Sequence, residues 1–181
     1  VDLLKRFELS KDEHKKLAEY CSHREITYLC TPWDRYSLQF LEELSVPAYK
    51  VASADLTNIP LIELLIKTKK PLILSTGMST SEEIKFTAKI LDDAGTDYVL
   101  LHCNSTYPAP FDDINLSWIN ELKKIHKDIG YSGHERGINV TLASIPMGVS
   151  VIERHFTLDR NMEGPDHAAS LEELEFSKLV Q

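Results

Sequence analysis

The chain has 181 residues, enough for one domain with a real core, and its 43% hydrophobic and 27% charged residues are ordinary for a globular protein. A formal net charge of -8 argues against an extended nucleic-acid-binding face, which needs Lys and Arg to neutralise phosphates. No apolar stretch approaches the roughly 20 residues that span a bilayer, and Cys21, Cys30 and Cys103 lack C-x-x-C spacing. We therefore expect reduced thiols in a cytoplasmic protein with neither a nucleic-acid nor a membrane partner.

Short apolar runs alternate along the chain with amphipathic segments. In order, the runs cover residues 26–31, 48–53, 71–76, 98–103, 128–132 and 149–155. Most are too continuous to have one polar face, which is typical of parallel strands buried on both faces. Between them lie helix start signals: Ser10 with Glu13, Asn58 before Pro60, Thr80 with Glu83, Asn115 and Ser170. The predicted repeat is strand, loop, helix.

This repeat predicts an α/β fold of the (β/α)8 barrel type. No glycine-rich dinucleotide fingerprint follows any strand, so a barrel is favoured over a doubly wound sheet. A closed barrel needs eight strands and typically more than about 200 residues, whereas about six units are present here. We expect residues 1–181 to be one incomplete barrel domain whose first two units lie outside this chain.

Polar side chains follow five of the predicted strands. They are Lys50, Ser53 and Asp55; Ser75 and Thr76, with Gly77; Asn104, Ser105 and Tyr107; Ser132 and His134; and His155 and Asp159. Polar residues at strand ends often serve only to turn the chain. Five such clusters in series instead favour an active site, because barrels collect catalytic groups from successive strand ends. Two histidines at neighbouring strand ends are also a candidate pair of ligands for a divalent metal, as neutral imidazoles bind such ions.

Several segments, in this order and spacing, resemble the sialic acid synthase family, including legionaminic and pseudaminic acid synthases. They are YKVASAD at 49–55, LSTGM at 74–78, LHCNSTYP at 101–108, YSGH at 131–134, ERHFTLDR at 153–160 and GPDH at 164–167. The resemblance implies a (β/α)8 barrel, usually followed by a small antifreeze-like domain that this chain does not include. It also implies a transferase that condenses phosphoenolpyruvate with an N-acetylated amino sugar, such as N-acetylmannosamine, to give a nonulosonic acid and phosphate.

The resemblance also assigns roles to individual residues. His134 and His155 would hold a divalent metal that polarises the sugar aldehyde, and imidazole ligands favour Mn2+ over Mg2+. Phosphoenolpyruvate would be bound by Lys50, Ser53, Ser75, Ser105 and Ser132, and the sugar by Tyr107 and Asp166. Lys50 and Asp55 are the candidate catalytic residues, with Asp55 orienting water or relaying a proton. Gly133 and Glu135 differ from the commoner Asp and Thr that flank this metal histidine in relatives.

Two other functions remain open at this point. Another phosphoenolpyruvate-dependent aldol synthase would share the phosphate-binding residues but need a different metal set and acceptor loop. Alternatively, a non-catalytic barrel fragment would keep the residues only to bind a sugar or a phosphate. A homodimer is expected for the full-length protein from the resemblance, through the antifreeze-like domain.

Overall fold

The computed structural model describes residues 2–181, in which helices alternate with parallel strands. Three helices come first: α1 Asp2–Phe7, α2 Lys11–His23 and α3 Arg35–Glu43. The strands are β1 Tyr49–Val51, β2 Leu72–Ser75, β3 Tyr98–Cys103, β4 Ile129–Gly133 and β5 Val151–Arg154. Helices α4 Ile59–Lys67, α5 Ser81–Asp93, α6 Trp118–Leu122 and α7 Asn139–Ser144 connect successive strands, and α8 Glu173–Val180 follows β5.

The five strands form one parallel sheet in the order β1-β2-β3-β4-β5. The sheet is curled into a half-barrel, so that the Lys50 side chain of β1 lies 3.4 Å from the Glu153 carboxylate of β5. The α/β architecture expected from the sequence is confirmed. Because the strands are parallel and successive, their carboxyl ends all lie at one edge of the sheet, and the loops that follow them meet there.

The central strands are buried on both faces, as their continuous apolar sequence predicts. Adjacent residues of a strand point to opposite faces, and Leu100 and Leu101 are only 1% and 0% exposed. Leu74 of β2 is equally buried, and Ile62 of α4 and Leu91 of α5 cover the outer face. Burial of each such side chain contributes roughly 1.5–3 kcal/mol to the stability of the fold. The edge of the sheet that bears the polar residues therefore rests on a well-packed core.

Residues 26–31 were predicted as a strand, and this prediction is wrong. The segment has no strand pairing in the described chain, and Ile26 is 62% exposed. Tyr28 and Cys30 still pack against the core. The apolar pattern therefore identified a segment that is buried on one side, next to β1. Such a pattern predicts burial, but it does not predict whether the backbone pairs with a neighbouring strand.

Helix starts follow the predicted capping signals at three sites. Ser10 and Thr80 form capping boxes with Glu13 and Glu83, and the Asn58 side chain accepts a hydrogen bond from the Leu61 amide at the start of α4.

Two predicted caps are wrong. Asn115 adopts a positive φ of 47° instead, and α6 starts after Ser117. Ser170 donates to the Asp166 carbonyl, 2.8 Å away, and Glu172 caps α8.

None of the helices in residues 2–181 is both long and apolar enough to cross a bilayer.

Candidate active site

The predicted site residues lie along the carboxyl edge of the sheet. Lys50 is within β1, Ser75 ends β2, and Ser132 is within β4. His134 and His155 directly follow β4 and β5, because each is the next residue after a strand end. The remaining residues lie in loops at the same edge: Ser53 and Asp55 in the turn after β1, Ser105 and Tyr107 after β3, and Asp166 after β5.

The two histidines are neighbours, and Tyr107 packs against both. The ring centroids of His134 and His155 are 5.2 Å apart in an edge-to-face arrangement. The Tyr107 ring lies 4.1 Å from that of His134 and 5.5 Å from that of His155. Register explains the contact, since β4 and β5 pair directly and Gly133 aligns with Arg154. Residues that follow an aligned pair emerge side by side.

The backbone fixes the tautomer of His134. Its Nδ1 lies 2.6 Å from the carbonyl oxygen of Asn104, which can only accept, so Nδ1 donates and Nε2 keeps the lone pair. Burial lowers the pKa of His134, and the hydrogen bond to Asn104 opposes that effect. A buried, neutral imidazole with a free Nε2 is what a metal ligand requires.

A metal at this rim would depend on the two imidazoles. Asp166 lies beside them, with Oδ2 3.8 Å from His155 Nδ1, beyond hydrogen-bond distance. Within residues 2–181 there is no group of three or more His, Cys, Asp and Glu side chains arranged to hold a metal ion. The donor set therefore fits a divalent ion with two protein nitrogens and further positions open to oxygen ligands, an arrangement suited to a catalytic metal rather than a structural one.

Lys50 stands between a hydroxyl and a carboxylate. Its Nζ donates to Ser75 Oγ at 2.8 Å and to the Val51 carbonyl at 3.0 Å, and lies 3.4 Å from Glu153 Oε2. Glu153 Oε2 is itself buried and has no hydrogen-bond partner among the described residues. A largely buried ammonium with a hydroxyl neighbour can bind an anion, and the carboxylate beside it is a free acceptor.

Hydroxyl groups surround the buried thiol of Cys103. Ser53 Oγ donates to Cys103 Sγ at 3.7 Å and accepts from the Gly77 amide at 3.1 Å. Burial raises the pKa of the Cys103 thiol, opposed by hydrogen bonds to Ser53, Ser132 and Ser105. The thiol therefore stays protonated and links these serines to His134, whose Nδ1 is 3.8 Å from the sulfur. A side chain at Gly77 would crowd this region, because a Cβ there would lie 2.8 Å from the Cys103 carbonyl oxygen.

Tyr107 connects the histidines to the acidic groups. Burial raises the pKa of Tyr107 to about 12, and the nearby carboxylates of Asp166 and Glu153 act in the same direction. Glu153 also contacts Lys50 of β1, so contacts connect β1 with the histidines and with the loop after β5. Two hollows border this cluster of contacting residues. One of about 440 Å³ includes Asn104 and Ser105, and one of about 420 Å³ includes Lys50 and Glu153; both volumes are in the range of small-molecule sites.

Among the predicted site residues, Asp55 has no side-chain hydrogen bond that connects it to this cluster in the described part of the chain. Its carboxylate accepts a hydrogen bond from the Asn58 side chain at 2.9 Å. Asn58 in turn caps α4. Within the described chain, Asp55 has no side-chain hydrogen bond to any other candidate residue. Its visible role is to hold the start of α4.

Sequence reasoning missed Glu153 and the ion pair of Glu135 with Arg154. Glu153 could have been found by strand periodicity, because it lies two residues before His155 and so points to the same side of the chain. The ion pair gave no comparable signal. Its members are 19 residues apart, and their contact, 2.9 Å between Arg154 Nη1 and Glu135 Oε1, depends on the pairing of β4 with β5.

Comparison with known proteins identifies the family. The model of the NeuB family matches residues 1–181. The chain is 42% identical to N,N'-diacetyllegionaminic acid synthase of Campylobacter jejuni, over 99% of the chain and 55% of that protein. It is 37% identical to human N-acetylneuraminate-9-phosphate synthase, over 98% of the chain and 50% of that protein. The chain belongs to the NeuB family, which confirms the resemblance seen in its motifs.

The fold agrees with this assignment. The crystal structure of the N-acetylneuraminic acid (sialic acid) synthetase from Leptospira borgpetersenii, in complex with citrate, superposes with a TM-score of 0.95 at 37% identity. The match covers 99% of this chain and 63% of that one. The chain spans about half the length of the two relatives named above. Both of those relatives are named as synthases.

Proposed function

We propose that the protein is a nonulosonic acid synthase that joins phosphoenolpyruvate to an N-acetylated amino sugar. The enol carbon of phosphoenolpyruvate forms a bond to the sugar aldehyde carbon. Water adds at the carbon that bears the phosphate. The bond between this carbon and the bridging oxygen of the phosphate then breaks, which releases inorganic phosphate. Membership of the NeuB family and the names of the relatives support this reaction class. The single observation that carries it is that Glu153, 3.4 Å from Lys50, lies two residues before His155, whose ring contacts that of His134.

The phosphoenolpyruvate site is assigned to Lys50 and its neighbouring hydroxyls. Lys50 Nζ already donates to Ser75 and faces a hollow of about 420 Å³, so its charge is available to a phosphate or a carboxylate. Ser53, Ser105 and Ser132 add donors without adding charge, which matters in a protein of net charge -8. Lys50 and the serines would orient the enol carbon toward the sugar.

His134 and His155 would hold the divalent metal, with Mn2+ preferred to Mg2+ for nitrogen ligands. When bound, the metal supplies Lewis-acid polarisation of the aldehyde oxygen. Tyr107 covers both imidazoles and would restrict water at the rim. Asp166, beside His155 and about half exposed, would accept hydrogen bonds from sugar hydroxyls.

Glu153 is the better candidate than Asp55 for managing the proton of the attacking water. Its Oε2 is buried, lacks a hydrogen-bond partner among the described residues and lies 3.4 Å from Lys50. Asp55 is committed to Asn58. A carboxylate acting as general base must be within reach of the reacting water, and Glu153 stands beside the anion site. Lys50 Nζ, 3.4 Å from Glu153 Oε2, would hold that carboxylate beside the anion site.

We propose further that the half-barrel is part of a complete (β/α)8 barrel in the full-length protein. β1 and β5 are the outer strands of the described sheet, and the matched relatives are about twice as long as this chain. Dimerisation through another domain and a cytoplasmic location stay predictions.

The test uses the full-length protein with phosphoenolpyruvate and Mn2+, offering N-acetylmannosamine, its 6-phosphate and diacetamido hexoses in turn. We expect one acceptor to give a nine-carbon acid, detected by mass spectrometry, together with one equivalent of phosphate. If a folded protein makes no such product with any acceptor, yet binds phosphoenolpyruvate by calorimetry, the synthase proposal fails and a binding function replaces it.

A further inference from the structure

A buried ion pair links the residues adjacent to the two histidines. Glu135 directly follows His134, and Arg154 directly precedes His155. Their side chains are 0% and 1% exposed, and Arg154 Nη1 lies 2.9 Å from Glu135 Oε1. This ion pair therefore joins the segment that carries His134 to the segment that carries His155, directly beside both candidate metal ligands.

The pair is held from several directions. Arg154 Nη2 donates to the Glu135 carbonyl at 2.6 Å, and Nη1 donates to the Gly137 carbonyl at 2.8 Å. Tyr131 and Thr141 hydroxyls donate to the two carboxylate oxygens of Glu135, each at 2.8 Å. Both oxygens are therefore satisfied by fixed donors, and the backbone of the loop after His134 is bound to β5.

Burial places the pair behind the site rather than in it. The partners of Glu135 and Arg154 include Thr141 in the first turn of α7, so the pair lies on the helix side of the sheet. A completely buried carboxylate cannot bind a substrate at the rim. A direct catalytic role is therefore excluded for both residues.

Stability alone is a poor explanation for such a pair. Two charges lose their hydration on burial, and apolar replacement of a buried ion pair is often neutral or stabilising. Arg154 Nε is also buried without a partner among the described residues, which adds to the cost. The better-attested use of buried charges is to specify one geometry.

We infer that Glu135 and Arg154 are positioning residues that fix the spacing between His134 and His155 and thereby set the affinity of the metal site. Each residue is one peptide unit from a ligand, and the fork of the guanidinium fixes direction as well as distance. This inference rests on the proposed function, since it assumes that the two histidines bind a divalent ion.

The test measures Mn2+ binding without substrate, from the electron paramagnetic resonance signal of free Mn2+, in the full-length protein. Glu135→Gln removes the charge at nearly constant shape. The double variant Glu135→Met with Arg154→Met replaces both charges by apolar side chains, which tends to preserve stability. The control is Glu42→Gln, which disrupts a more exposed ion pair, that of Glu42 on α3 with Lys70 at 2.5 Å. Metal-free melting temperatures are recorded for all.

A positioning role predicts that both variants weaken Mn2+ binding by about 10- to 100-fold, including the double variant with a near wild-type melting temperature. The control should lower the melting temperature without changing Mn2+ affinity. Wild-type affinity in a folded double variant would overturn the inference while leaving the metal site intact. If wild-type binding is absent, or is unaffected by His134→Ala and His155→Ala, the metal site of the proposed function itself fails, and the inference with it.

Discussion

Lys50 and Glu153 belong to the first and last strands of the described sheet, yet their charged atoms lie 3.4 Å apart. Only a strongly curled sheet permits this contact, because a flat five-stranded sheet would separate its outer strands by four strand spacings of about 4.8 Å each. The contact brings an ammonium from β1 to β5, the strand that His155 directly follows. The anion site and the imidazole pair are therefore parts of one rim.

Loss of the Glu153 carboxylate should impair chemistry more than binding. We expect Glu153→Gln to lower kcat by about 100-fold or more, the usual range for a general base, with KM for phosphoenolpyruvate changed less. Lys50→Met should instead raise KM for phosphoenolpyruvate strongly. Steady-state phosphate release measures both, with Glu121→Gln, an exposed partner of Lys124, as the control. If both variants changed KM equally, the assignment of Glu153 to chemistry and of Lys50 to phosphoenolpyruvate binding would be contradicted.

The residues at positions 133 and 135 should be energetically coupled. A Cβ at Gly133 would lie 2.7 Å from Glu135 Oε2 and 3.0 Å from Arg154 Cδ, so Gly133→Asp should destabilise the fold by about 1–3 kcal/mol or more. Glu135→Thr should cost about 3–5 kcal/mol, since it leaves Arg154 buried without its counter-ion. Together the changes place a new carboxylate where Glu135 stood.

We therefore expect the double variant to be more stable than the sum of the single effects predicts, by at least about 1 kcal/mol. Urea unfolding monitored by circular dichroism gives the free energy of each variant. Simple additivity would show that the space beside Gly133 is not shared with the Glu135 side chain.

How far the sequence anticipates the structure depends on the range of each interaction. Capping at Ser10 and Thr80 is local, so it was predicted correctly. The rim position of His134 and His155 follows from parallel strands and was also predicted. The contact of Glu135 with Arg154 depends on strand register, which strand periodicity does not define. The apolar run at 26–31 was misread because burial on one side does not require strand pairing.

Acid should destabilise the protein partly through His102. This side chain is buried, its Nε2 lies 2.7 Å from the Ile114 carbonyl, and burial lowers its pKa below the ordinary 6.5. The unfolded chain then binds more protons between the lowered pKa and about 6.5, so the free energy of unfolding falls as pH drops through that window. Above about pH 7 the group contributes no pH dependence.

His102→Gln should flatten this part of the profile. The free energy of unfolding, measured in urea from about pH 8 down to about pH 5, should fall less steeply for the variant than for wild type. If the free energy of unfolding fell equally steeply with pH in the variant and in wild type, protonation of His102 would not be a cause of the acid destabilisation.

The most direct measurement is phosphate release from phosphoenolpyruvate by the full-length protein, with its amino sugar acceptor and Mn2+, compared among three histidine variants. His134→Ala and His155→Ala each remove one candidate ligand. His126→Ala is the control, because this ring stacks on Tyr98 at the opposite edge of the sheet. We predict sugar-dependent phosphate release that is abolished by chelation and by either rim variant and is retained by the control. Full activity in a folded protein that lacks either rim histidine would contradict the proposed site.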